Sequence, residues 1–269
     1  MAIILFLLGL CFGSFANVLI DRVQGGKSIK GFSKCDFCGY QLRWFDNIPV
    51  LSFLFLQGKC RKCHKKLSWQ YPVVEFLSGL LFALTYLILF QDRFLANWME
   101  AGFYIELVYS LLVVFLLFVI LVWDYKYLII PDFLVLIGLV ATVVFEIYEA
   151  FQTGCFVGSW ECPLVAGLLG SLAVGGFFWV LYFFSGGRWI GGGDVKIGFW
   201  LGFLIKLKMA YFFILFAYLI GSVAAVYLLI SSKKKMKSQI PFGPFLVISA
   251  YLIIFGGDTI IKIWNSLIF

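Results

Sequence analysis

The sequence predicts an all-α polytopic membrane protein of about eight transmembrane helices with a small cytoplasmic zinc-binding insertion. Three observations predict it. Of 269 residues, 63% are hydrophobic and 13% charged, which is more apolar surface than a soluble core of this length hides. The apolar residues fall in runs of about twenty, the length a helix needs to cross about 30 Å of hydrocarbon with its backbone polar groups satisfied internally. One stretch, 21–70, breaks the pattern and holds ten of the Lys and Arg residues and four of the seven cysteines.

Residues 1–20 are apolar from the second position and carry no basic leader, so they read as a first span rather than a cleaved signal. Further spans are expected at 71–90, 104–123, 133–151, 164–184, 209–230 and 242–264. An eighth segment, 195–207, reaches only about 20 Å at about 1.5 Å per residue and reads either as a crossing or as a re-entrant piece. Charge favours a crossing, because basic residues mark the cytoplasmic side. With eight crossings and the N-terminus outside, the run Lys233, Lys234, Lys235, Lys237 falls inside. Of the twenty-one Lys and Arg, only Arg93, Lys206, Lys208 and Lys262 then lie outside. The net charge of +7 is thereby accounted for by topology and gives no argument for nucleic-acid binding. Gly167, Gly170, Gly175 and Gly176 in the fifth span predict close helix packing. The expected domains are the first helix at 1–20, a cytoplasmic four-cysteine domain at 21–70 and a membrane-embedded domain at 71–269.

About fifty residues make a marginal core and call for a staple. Cys35-x-x-Cys38 and Cys60-x-x-Cys63, with twenty-one residues between the pairs, have the spacing of a four-thiolate zinc site. In a reducing cytoplasm, metal ligation is favoured over disulfides. Cys60 to His64 also reads CxxCH, the haem-attachment signature, but that reading leaves Cys35 and Cys38 without a role. His64, the single histidine, is expected as a bystander or substitute ligand. Cys155 and Cys162 share an outer loop where a disulfide is an open possibility.

Charged residues at a span boundary are functional candidates. Asp124 follows an unbroken apolar run, and Asp194 follows Gly191-Gly192-Gly193 just before the short segment. The topology puts both at the cytoplasmic boundary. Two neighbouring carboxylates can share one proton, one then activating water while the other protonates a carbonyl oxygen. The glycines, lacking a Cβ, would let a substrate backbone approach. Serine-hydrolase chemistry lacks its parts, since no GxSxG occurs and the lone histidine lies among the thiols. The opposing reading makes both residues ordinary helix ends, with Asp194 an N-cap. Asp132, after Pro131, is expected to cap a helix.

Several ordered blocks together resemble the type IV prepilin peptidase family. They are Gly13-Ser14-Phe15-Ala16-Asn17-Val18-Leu19-Ile20-Asp21-Arg22, the two CxxC pairs around Trp44-Phe45-Asp46-Asn47-Ile48-Pro49-Val50, and Tyr71-Pro72-Val73-Val74-Glu75. Asp124-Tyr125-Lys126, Ile130-Pro131-Asp132, Gly191-Gly192-Gly193-Asp194-Val195-Lys196 and Pro241-Phe242-Gly243-Pro244-Phe245 complete the set. The resemblance implies that Asp124 and Asp194, the latter in a GxGD motif, are catalytic, with Gly191 and Gly193 supporting them. It also implies a bacterial cytoplasmic membrane enzyme that cuts the leader from type IV prepilins or pseudopilins. Retention of all four cysteines implies, by the same resemblance, S-adenosylmethionine-dependent N-methylation of the new terminus; the sequence itself shows no cofactor motif. Lys126 and Lys196 would tune the acid pair, hold an acidic substrate residue or anchor at the interface. An ion-coupled transporter built on the same acids and a nonenzymatic scaffold remain as alternatives.

Overall fold

The computed structural model describes residues 1–26, 28–97, 99–156, 159–231 and 241–268. Lys233, Lys234, Lys235 and Lys237, on which the charge argument leaned, lie outside them. The described chain is helical, with isolated bridges in the cysteine segment but no β-sheet among the described residues. Among the described residues six helices are long and apolar enough to cross a membrane. They are α1 (Ala2–Gln24), α3 (Gln70–Leu89), α5 (Ala101–Tyr127), α6 (Asp132–Thr153), α7 (Pro163–Ser185) and α8 (Gly192–Ile230). Short helices α2 (Leu51–Phe55) and α4 (Gln91–Asn97) and a final α9 (Gly243–Ile268) complete the set. The chain divides into two compact units, Met1–Phe115 and Leu116–Phe269.

In the first unit α1 and α3 touch backbone to backbone. A Cβ on Gly9 would sit 2.7 Å from the Ser78 carbonyl oxygen, and one on Gly13 would sit 2.6 Å from Glu75 Cα. Only glycine permits that approach. Phe12 fills the adjoining space against Phe82 and Phe115, at centroid distances of 5.5 and 5.1 Å. Polar groups collect at one end of the helix pair. Asn17 donates to the Tyr71 carbonyl, Tyr71 donates its hydroxyl to Asp21, and the buried Glu75 accepts the Val50 N–H at 2.7 Å. Val50 adopts φ 61°, a left-handed conformation that a β-branched residue takes only under constraint.

In the second unit α8 is two legs. Its 39 residues would run to about 58 Å if straight, but Lys206 leaves helical geometry at φ 64°, ψ 166°. Phe178 on α7 lies under Gly198 of the first leg while its neighbour Phe177 packs on Tyr218 of the second, at 6.2 Å. Residues 198 and 218 would stand about 30 Å apart along one helix; here they share adjacent α7 neighbours, so the chain doubles back at Lys206. The short segment expected at 195–207 is therefore the first leg of a helical hairpin, and each of the eight expected segments is helical. Gly170 and Gly202 seat α7 on this leg, since a Cβ on either would lie 2.3 or 2.4 Å from the other's carbonyl oxygen. Gly167 and Gly175 make close contacts as expected, whereas Gly176 faces open space. Its side lies away from a neighbouring helix, so the packing reading does not extend to it.

Candidate active site and metal centre

Asp124 occupies the last turn of α5 and is only 5% exposed. Its Oδ2 accepts the backbone N–H of Gly243 at 3.0 Å. Gly243 opens α9, so a main-chain donor left over from the first helical turn is spent on this carboxylate. Glycine is required there: a Cβ would stand 2.6 Å from Asp124 Oδ2. Gly243 lies in the Pro241–Phe245 block, but its role is invisible in the sequence, because a backbone donor leaves no signature beyond the absence of a side chain.

Asp194 is the third residue of α8, and its Oδ2 accepts the N–H of Gly191 at 3.2 Å. Gly191 is the N-cap, so Asp194 stands at N3 rather than in the capping position, and half of a reciprocal capping pair is main chain. Gly193 lies against Ile130, with space for a Cβ only 3.1 Å from that side chain. This contact brings the α5–α6 connection to the start of α8. Asp124 and Asp194, seventy positions apart, thus lie within Coulombic reach of each other. Tyr218, on the returning leg of α8, also sits in the field of Asp194 and packs on Phe242 at 5.5 Å. One aromatic among many in a span carries no sequence signal of that placement.

The flanking lysines are engaged elsewhere. Lys196 Nζ lies 2.7 Å from both carboxylate oxygens of Asp132, tying the start of α6 to the start of α8. Asp132 therefore does not cap: Pro131 holds the N-cap position, and no side-chain cap bond forms. Lys126 Nζ stands 5.1 Å from the Tyr127 ring, an aromatic contact of the kind that anchors helix ends at an interface.

In the first unit the thiols of Cys35, Cys38, Cys60 and Cys63 lie within 4.8 Å of one another. Cys35 and Cys63 are 3.9 Å apart and Cys38 and Cys60 are 4.0 Å apart. Tetrahedral bonds of about 2.3 Å put ligand sulfurs about 3.8 Å apart, so the cluster fits one divalent ion. The two pairs sit on matching knuckles. Cys35 N–H donates to Tyr40 and Gly39 N–H to Cys35, and the same bonds recur from Cys60 to Lys65 and from His64 to Cys60, all at 2.9 Å. His64 occupies the left-handed position that Gly39 holds in the first knuckle, at φ 57° against 68°. It is thus a turn residue and not a fifth ligand. Buried Asp46 joins the knuckles, accepting Tyr40 Oη at 3.4 Å and Arg61 Nε at 2.7 Å.

Four thiols this close compete for protons. Backbone amides of Cys63 and Lys62 lower the Cys60 thiol to about 7. Tyr40's amide pulls Cys38 the same way, but desolvation and the facing thiols win and push it up to about 11. A bound cation would remove that conflict by stabilising all four thiolates.

Comparison with known proteins agrees with this arrangement. Residues 7–89 match the bacterial peptidase A24 N-terminal domain, and residues 111–226 match the type IV leader peptidase family. The chain belongs to the type IV leader peptidase family. A prepilin leader peptidase/N-methyltransferase of Bacillus subtilis is 29% identical over 262 residues, covering 97% of this chain and 96% of that one. The protein of that name from Stutzerimonas stutzeri is 29% identical over 277 residues, with coverages of 94% and 90%. One from Myxococcus xanthus is 32% identical over 232 residues, with coverages of 86% and 64%. No solved structure matches the chain. The first match contains the four cysteines and the second both aspartates, and nothing in these matches supports the transporter or scaffold alternatives. The chain is a multi-pass membrane protein of this family.

Proposed function

We propose that this chain cleaves the leader from type IV prepilins or pseudopilins with Asp124 and Asp194 as the catalytic pair, and that it N-methylates the residue so exposed. The observation that carries the reading is that two sequence-distant carboxylates at one end of the second unit lie within reach of each other's charge, each with Oδ2 held by a main-chain N–H. Among the described residues neither Oδ1 has a hydrogen-bond partner, which leaves one oxygen on each side for water or substrate. One carboxylate takes a proton as water adds to the scissile carbonyl, and the other, protonated, gives its proton to the carbonyl oxygen. Collapse of this gem-diol breaks the C–N bond: the proton held by the first carboxylate leaves on the new amine, and the second carboxylate takes back a hydroxyl proton as the carbonyl re-forms. Gly191 leaves its side of the approach to Asp194 free of a side chain, whereas the space beside Gly193 is taken by Ile130.

A cytoplasmic position for this end is supported from the opposite one. Cys155 and Cys162, between α6 and α7, form a disulfide, which belongs in an oxidising compartment. The start of α6, about 33 Å away along a helix of 22 residues, then faces the reducing side. In a reducing compartment a four-thiolate site takes zinc and not a disulfide. Zinc at Cys35, Cys38, Cys60 and Cys63 would staple the insertion to the helices it joins.

S-adenosylmethionine would supply an electrophilic methyl group for the new amine. The first unit has an open cleft lined by Asp36, Phe37, Lys66, Leu67, Ser68 and Tyr71. Its two aromatic rings suit adenine, Asp36 suits the cationic centre, and Lys66 suits the carboxylate. The test uses purified protein in detergent with a prepilin substrate and mass spectrometry of the product. Loss of the leader, and gain of one methyl group when S-adenosylmethionine is added, are expected. An intact precursor would overturn the peptidase reading, and a cleaved, unmethylated product the methylation.

A further inference from the structure

We propose that Lys206 is a positioning residue for the acid pair: its ion pair with Glu146 fixes the register of the α8 leg that carries Asp194. The proposal rests on the peptidase reading above for its effect on catalysis, but its geometry stands by itself. Lys206 Nζ lies 3.0 Å from Glu146 Oε2 and 3.6 Å from Glu149 Oε2. Glu146 is 3% exposed in the body of a membrane-spanning helix, where an acid is functional by default. The acid pair's chemistry does not use it.

The turn itself does not call for lysine. At φ 64°, ψ 166° only glycine is at ease, and a glycine would reverse the chain without strain. What lysine adds at that position is an ammonium that meets the buried carboxylate. The strain and the buried acid are therefore two halves of one contact.

That contact is the outermost of three along α6. At the first turn of both helices Lys196 pairs with Asp132, but both partners are more than half exposed, and such a pair holds weakly. In the middle the buried Trp200 donates Nε1–H to Thr142 at 3.0 Å and lies over Gly138, where a Cβ would stand 2.1 Å from the ring. At the fold-back Lys206 meets Glu146. The order 132, 142, 146 on α6 against 196, 200, 206 on α8 defines one parallel register. The middle tie is buried and the outer one half-buried, and losing the outer one removes the polar contact that sets the hinge end of the leg against α6, leaving its packing on Gly170 of α7. Asp194 sits about 18 Å down the same leg, so sliding or rotation there moves its carboxylate against Asp124.

The test compares Lys206→Met, Lys206→Gly and Lys206→Arg. Met and Gly both remove the charge, but Gly also relieves the turn, so a folded Gly variant separates the ion pair from backbone strain. Met and Gly are expected to lower kcat for leader cleavage about tenfold with KM within about twofold, while Arg stays within about threefold of wild type. In parallel, oxidative cross-linking of Asp124→Cys with Asp194→Cys, read by mass spectrometry of the joined peptides, needs no substrate. Its yield is expected to fall in the Met and Gly backgrounds and to survive in the Arg background. Unchanged kcat and cross-linking in both charge-removing variants would overturn the proposal, as would a fall in kcat with unchanged cross-linking. An effect confined to Met would assign it to strain and overturn it too. A wild-type enzyme that cuts no prepilin would fault the peptidase reading while the cross-link still reports on the register.

Discussion

Gly243→Ala tests how the structure holds Asp124. The new Cβ would lie 2.6 Å from Oδ2, 3.0 Å from Cγ and 3.3 Å from Cβ of Asp124, whereas ordinary contacts begin near 3.4 Å. Either the carboxylate retreats by about 0.8 Å or the start of α9 does, and the 3.0 Å bond from Gly243 N–H is lost in both cases. A hydrogen bond to a charged group contributes about 1.5–3 kcal/mol, which at about 1.4 kcal/mol per decade is roughly a 10- to 150-fold loss of rate. A displacement of about 1 Å at a reacting group is worth up to about 100-fold by itself. We expect kcat/KM for leader release to fall about 10- to 100-fold, measured as initial rates on purified prepilin in detergent. Gly256→Ala is the control on the same helix, because its Cβ would meet nothing within 4 Å; it should cleave normally. A Gly243→Ala enzyme that is monodisperse and cleaves within about threefold of wild type would refute the claim that this amide positions Asp124.

Metal analysis should give about one zinc per chain, and Cys35→Ser with Cys60→Ser should abolish it, with the first unit unfolding at lower temperature; a metal-free wild type with unchanged melting would contradict the site. His64→Gly should raise the stability of the insertion by about 1 kcal/mol, seen as slower zinc release to a chelator, because glycine takes the left-handed position without strain. Gly138→Ala drives a methyl into Trp200 at 2.1 Å and should cost about 1–3 kcal/mol in thermal unfolding of the second unit; unchanged melting would mean that α6 and α8 are not packed as described.

The spans were legible because the bilayer enforces them: about twenty apolar residues in a row have few alternatives to a membrane helix. The cysteine pairs were legible because tetrahedral ligation fixes both spacing and residue type. The turn at Lys206 was hidden by its residue, since a lysine gives no sign of a positive φ, and only the shortness of 195–207 hinted at the hairpin. His64, expected as a bystander or substitute ligand, is the bystander: a ligand-type side chain stands where the backbone needs glycine's conformation. Asp132 was expected to cap a helix, yet its partner is Lys196, sixty-four positions away. Asp124 and Asp194 could be nominated from their place at span ends. Gly191 was legible beside Asp194 through the GxGD resemblance, but Gly243 was not, because it acts through a main-chain N–H group that every residue but proline carries.

The most direct test of the account is leader cleavage by Asp124→Asn and Asp194→Asn, made and purified beside wild type and Asp132→Asn. Asparagine keeps the shape and the bond from the backbone amide but can neither accept the water's proton nor donate one as an acid. Both variants should insert normally and yield no cleaved product, while Asp132→Asn retains substantial activity. Cleavage at the wild-type rate by either of the first two would contradict the two-carboxylate mechanism.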